Sequence, residues 1–161
     1  MPLPSSITTR LEYQHKSLID IIEGLSDEQI RRQVIPGKWS IFENIVHLAT
    51  YQHEFIRRLQ LILESPEPPQ FLRYVAESDP LFYDNCSKTT REIMQDLITT
   101  RRELIARGLT LNDEQIERTG THPVFGKLNI LLWMNFFLLH EAHHLFTIFK
   151  LAPEARNPKS G

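Results

Sequence analysis

Ile130-Leu-Leu-Trp-Met-Asn-Phe-Phe-Leu-Leu139 runs directly into His140-Glu-Ala-His-His144, and how this stretch is read decides the fold. The apolar run is about ten residues long, contains Asn135 and ends on polar residues, whereas a membrane span needs roughly 20 apolar residues. It therefore predicts a soluble helix over about Lys127 to Lys150. That helix is apolar nearly all round in its first half, as suits the most enclosed member of a bundle.

Outward from this helix, the ten prolines divide the chain into proline-free stretches at Ser5 to Ile35, Gly37 to Ser65, Leu81 to His122 and Val124 to Ala152. Proline is poorly tolerated inside helices, so each stretch predicts one helix. Gly24 and Gly108 stand where helices should stop, Gly37 and Gly126 just before helices should start. Leu11, Leu18, Ile22 and Leu25 recur at heptad-like spacing, as do Ile41, Ile45, Leu48, Phe55 and Leu59, and again Ile93, Leu97 and Leu104. Ser40 with Glu43 matches a capping box for the second helix. No alternating pattern of useful length predicts a strand. The proline-rich segment Glu64 to Asn85 reads as a long connection with a short helix at Phe71 to Ala76. The expected fold is all-α: one four-helix bundle domain over 1–161 with a long crossover between helices 2 and 3.

With 161 residues, 41% hydrophobic and 24% charged, the composition is that of a globular protein. A net charge of -2, with the arginine pairs Arg31-Arg32, Arg57-Arg58 and Arg101-Arg102 scattered among carboxylates, argues against a nucleic-acid partner. The lone Cys86 cannot form an intramolecular disulfide, and the start of the chain lacks the pattern of a secretory signal. A cytoplasmic protein with no membrane partner is expected. Apolar character left exposed on the first and third helices predicts a homodimer.

Seven histidines are present, three of them within His140-Glu-Ala-His143-His144. Residues four apart lie one turn along a helix and about 40° around it, so His140 and His144 can face one ion; His140 with His143 is a second geometry. On a helical wheel His144 lies nearer the face marked by Leu145, Ile148 and Phe149, which favours the 140/144 pair. A third ligand must come from elsewhere. His47 lies at the flank of the second helix's apolar stripe, on a line with Tyr51, Glu54 and Arg58; it is either a ligand at an open cleft or a half-exposed surface residue. The string also spells the H-E-x-x-H of zinc proteases. Thr147 and Lys150 stand where a metzincin would continue, and the one acid after His144 is Glu154. Neither protease continuation exists. Imidazole ligands suit Zn²⁺, Ni²⁺ or Fe²⁺ over Mg²⁺ or Ca²⁺.

Of the other candidates, His15 reads as a core histidine or one lining the bundle near the metal. Tyr51 and Glu54 could orient a ligand or act catalytically, or could lie on the surface. Glu141, about 100° from His140, points away from the site. Cys86 reads as an inert thiol, and Trp133 and Phe137 as core residues that could also wall a cleft.

Pro36-Gly37-Lys38-Trp39-Ser40 leading into a helix, His47 seven residues after the serine, and H-x-x-x-H on the last helix together resemble the DinB-like superfamily over essentially the whole chain. The resemblance implies an up-down-down-up four-helix bundle and a divalent metal held by His47, His140 and His144. It also implies a metal-dependent activity of one of two types, thiol-dependent transfer using a low-molecular-weight thiol or hydrolysis, on a small molecule that the sequence does not identify. A non-catalytic metal- or ligand-binding bundle is the alternative. Many relatives have Gln three residues after the last ligand, where this chain has Thr147. Homodimers are common among them.

Overall fold

The computed structural model describes residues 3–158. The first quarter of the chain holds α1 (Ser5–Tyr13), α2 (Ser17–Ile22) and α3 (Asp27–Arg31). The long helix α4 (Ile41–Glu64) leads to a crossover containing the short α5 (Pro80–Cys86). Then follow α6 (Thr90–Leu109), α7 (Asp113–Glu117), the hairpin β1 (Thr119–His122) and β2 (Gly126–Asn129), and α8 (Ile130–Arg156). Among the described residues no helix is long and apolar enough to cross a membrane.

Local chemistry sets these boundaries. Capping boxes at Ser26/Gln29, Ser40/Glu43, Thr89/Glu92 and Asn112/Gln115 start α3, α4, α6 and α7. Asp79 caps α5 ahead of Pro80, where the missing N–H costs nothing. The first predicted helix is broken: a 3-10 turn at Gln14–Lys16 separates α1 from α2. The break falls where the Arg101 guanidinium takes the Leu11 carbonyl as its acceptor, at 3.1 Å. Gly24, at φ +76°, reverses the chain after α2.

Two core clusters fix the helix directions. One gathers Leu18, Ile41, Ile45, Ile93, Leu97, Ile148 and Ala155; the other gathers Ile7, Leu11, Phe55, Ile62, Leu104, Ile130 and Trp133. The first helical segment and α8 run from the second cluster to the first, whereas α4 and α6 run from the first to the second. This is the up-down-down-up four-helix bundle. Because α4 and α6 are parallel, the crossover between them must climb back along the bundle's length.

Several local expectations are corrected. No helix forms at Phe71 to Ala76; a 3-10 turn lies at Ala76–Ser78 and the helix follows at Pro80–Cys86. The strands β1 and β2 pair antiparallel across a turn with Gly126 at φ +75°, so Gly126 serves a hairpin and α8 starts later than Lys127. The crossover joins this hairpin: Phe71 donates its N–H to the Thr121 carbonyl (3.0 Å) and Thr121 to that of Pro69 (2.8 Å). Gly120 permits the approach, since a Cβ there would meet Ile62 and Phe71 at 2.8 Å. Gly108 lies within α6. The last helix continues through Pro153 to Arg156, with Leu151, Ala152 and Ala155 buried; one lost hydrogen bond in the last turn is outweighed by that burial. Exposed apolar side chains lie on α1 and α2 (Tyr13, Ile19) and on α8 (Leu132, Leu139, Phe146, Phe149), whereas α6 exposes Leu109 alone among its large apolar residues. Phe149 is therefore a surface residue and does not share the buried face of Leu145 and Ile148.

Candidate metal centre

Antiparallel packing of α4 against α8 sets His47 opposite His140 and His144. One ring nitrogen from each lies within 4.8 Å of the other two. His47 Nε2 and His140 Nε2 are 3.0 Å apart, close to the ~3.3 Å between two ligands at 2.0–2.1 Å on a tetrahedral ion. His47 is buried and the other two are half-buried. Burial, reinforced by the neighbouring imidazoles, lowers the pKa of His47 to about 3, of His140 to about 2 and of His144 to about 4. All three are thus neutral at pH 7 and able to act as ligands. The Nδ1 atoms of His47 and His140, on the far side of each ring from this Nε2 pair, are buried without a hydrogen-bond partner among the described residues.

His144 is oriented differently. Its Nδ1 is 2.9 Å from Asn44 Oδ1, and the Asn44 amide is itself fixed by donating Nδ2–H to the Ser40 carbonyl at 2.9 Å. Asn44 Oδ1 can only accept, so His144 carries its proton on Nδ1 and leaves Nε2 free as a ligand. Trp39 covers the triad, with its ring 5.1 Å from that of His47 and 6.2 Å from that of His144, and is backed by Phe82 at 5.3 Å. Tyr51 lies 4.5 Å from the His140 ring.

The triad lines a cleft of about 520 Å³, walled by Trp39, Tyr51, Tyr74 and Phe136 and bordered by Arg58 and Arg73. Burial and the neighbouring Glu54 push the Tyr51 phenol up to about 12; burial and Asp79, which accepts the Tyr74 hydroxyl at 2.9 Å, raise that of Tyr74 further. Both phenols stay protonated.

The structure brings Tyr51 to the triad but turns Glu54 away. Glu54 accepts hydrogen bonds from Arg57 and Arg58 and lines an adjoining hollow instead of the cleft. Glu141 faces the bundle interior, paired with Arg101 and accepting from Gln14 at 3.0 Å. His15 belongs to this same interior cluster, 3.1 Å from Arg101 Nη1, and burial and that charge lower its pKa to about 4. His143 is exposed, and Thr147 returns its hydroxyl to the His143 carbonyl at 3.1 Å. Cys86 is half-buried, its thiol pKa raised by burial. Trp133 and Phe137 are core residues. Phe136, one turn before His140, walls the cleft in their place, and the same four-residue spacing that pairs the histidines would have found it. Tyr74, Arg73 and His122 come from the crossover and the hairpin, where no periodicity exists to signal them.

A family model described as the DinB superfamily matches residues 10–148. "Putative metal-dependent hydrolase OB0413" of Oceanobacillus iheyensis is 26% identical over 84% of this chain and 78% of its own. "Uncharacterized protein YuaE" of Bacillus subtilis is 29% identical over 77% of this chain and 83% of its own. Among solved structures, YfiT of Bacillus subtilis, described as a probable metal-dependent hydrolase with an unusual four-helix bundle topology, superposes with a TM-score of 0.78 at 22% identity, covering 92% of this chain and 85% of that one. A second four-helix bundle protein, TT2238, superposes with a TM-score of 0.64 at 22% identity over 89% of this chain and 95% of its own.

Proposed function

The chain belongs to the DinB superfamily, and on that premise we propose that it is a metal-dependent enzyme acting on a small molecule, with His47, His140 and His144 holding one divalent transition ion. The observation that carries this reading is the convergence of three neutral imidazoles, one ring nitrogen of each within 4.8 Å of the others, on the lining of a cleft. An ion held by imidazoles alone keeps its full charge and supplies Lewis acidity that brings the ionisation of a water or a low-molecular-weight thiol toward neutral pH. The donor set suits Zn²⁺, Ni²⁺ or Fe²⁺.

The chain's own residues supply the rest. Asn44 fixes the tautomer of His144. Trp39 covers one side of the triad against water. Tyr51, protonated and at the cleft wall, is placed to donate a hydrogen bond to a bound oxygen. Water is the favoured nucleophile, supported by the name of the Oceanobacillus iheyensis relative.

Elemental analysis of untagged protein tests the reading and should give one metal per chain, lost in a His140→Ala/His144→Ala variant. Ester hydrolysis that stops on chelation and returns with zinc is the expected activity. A sulfur-to-metal charge-transfer band on adding a small thiol to Co²⁺-loaded protein would move the assignment to thiol transfer. Full metal content in the double variant would overturn it.

A further inference from the structure

We infer that the substrate of this cleft carries a carboxylate at one end of a flat apolar body, and that Arg58 holds the carboxylate. The inference rests on reading the cleft as the active site and adds the class of molecule it takes.

His47, Tyr51 and Arg58 stand at positions i, i+4 and i+11 of α4, on one face of the helix, and all three line the cleft. Along the axis His47 and Arg58 are ~16 Å apart at 1.5 Å per residue. Helical side chains lean toward the N-terminus, which brings the guanidinium back toward Tyr51 and the triad. A molecule bound at both ends is thus a small one, in keeping with a cavity of about 520 Å³.

Arg58 is only 3% exposed, which is rare for arginine. Its Nε donates to Glu54 at 2.6 Å and its Nη2 to the Leu72 carbonyl at 3.0 Å, and its guanidinium carbon stands 5.1 Å from the centre of the Phe71 ring. These contacts lock the fork before a ligand arrives, as strong recognition of a carboxylate requires.

Glu54 does not cancel the charge. It also takes two hydrogen bonds from Arg57, at 2.7 and 2.8 Å, and it lines the adjoining hollow, not the cleft itself. Arg73 adds a second cation to the cleft wall, against one carboxylate there, Glu77. With Glu54 bonded to the same guanidinium, a monoanion is favoured over the dianion of a phosphate. Tyr51, Tyr74 and Phe136 offer ring surface for the apolar body.

The test compares 4-phenylbutyrate with the neutral 4-phenylbutanamide, by calorimetric titration of chelator-treated protein. The carboxylate should bind at least tenfold more tightly than the amide. Arg58→Met should abolish that preference. Arg58→Lys, which keeps a charge beside Glu54 and so guards against misfolding, should reduce it at least threefold. Equal binding of the two probes, no binding of either at millimolar concentration, or a preference that survives both substitutions would overturn the inference. So would a preference that appears only after zinc is added, because the carboxylate would then be a ligand of the metal. A wild-type protein that shows the preference but binds no metal would remove the proposed enzyme function and leave the anion site standing.

Discussion

Acidification of the metal-free protein should unfold it at a pH where most globular proteins are still stable. His47, His140 and His144 have folded-state pKa values of about 3, 2 and 4, against ~6.5 in the unfolded chain. Folded values below the unfolded one mean that the unfolded state binds more protons, so stability falls with falling pH from 6.5 down to each folded pKa. Between pH 7.5 and 5.5 each group removes ~1.4 kcal/mol, or ~4 kcal/mol for the three, trimmed toward ~3 by the solvent that reaches half-buried His140 and His144. That is a large part of the ~5–15 kcal/mol that holds a domain folded. Burial and the Arg101 charge depress His15 in the same direction. Urea unfolding with chelator present, followed by circular dichroism at pH 7.5, 6.5 and 5.5, should show this loss with a slope of about three to four protons per chain, His15 adding to the triad. His47→Gln should lower the slope by about one proton. A free energy of unfolding that stays within ~1 kcal/mol across the range would refute the reasoning.

Glu141→Gln should lower stability by ~3–5 kcal/mol, because it leaves the Arg101 guanidinium buried and unpaired. At ~2–4 °C per kcal/mol the melting midpoint drops by ~6–20 °C, whereas a variant that lost activity at unchanged midpoint would point to a catalytic glutamate. Asn44→Ala should weaken metal affinity ~10–100-fold by freeing the His144 tautomer, read by competition with a chromophoric chelator.

The four-helix bundle and the triad are legible in the sequence because each rests on periodicity. Leu11 and Leu18, Ile45 and Phe55, and Ile93 and Leu104 reach the cores that their spacing predicts. The His140/His144 pair shows the same logic at one turn's spacing. The strands of the hairpin are four residues each, too short for alternation to register. Tertiary demands overrode local rules elsewhere. Arg101 broke the first helix by claiming a backbone carbonyl. Burial of Ala152 and Ala155 carried α8 past Pro153. The orientation of Glu141 followed from helical angle, but its partner Arg101, 40 residues away in sequence, carried no local mark. Arg58 was visible on the stripe of α4; its role depends on Glu54, Leu72 and Phe71, a conjunction made only by the fold.

The up-down-down-up order also sets a timetable for the molecule's birth. The first helical segment lies against the last: Gln14 donates to the Leu138 carbonyl at 2.8 Å, and Arg10 to Asn135 Oδ1 at 2.7 Å. Neither contact can form until the first half of α8 has been made. His140 follows His47 by 93 residues, a delay of ~5–20 s at the pace of translation. During that interval α4 and α6 can pair, but their apolar faces still await α8. A nascent chain halted within this window presents one histidine of the triad and an open core, so loading of an ion at the triad must wait for the synthesis of α8.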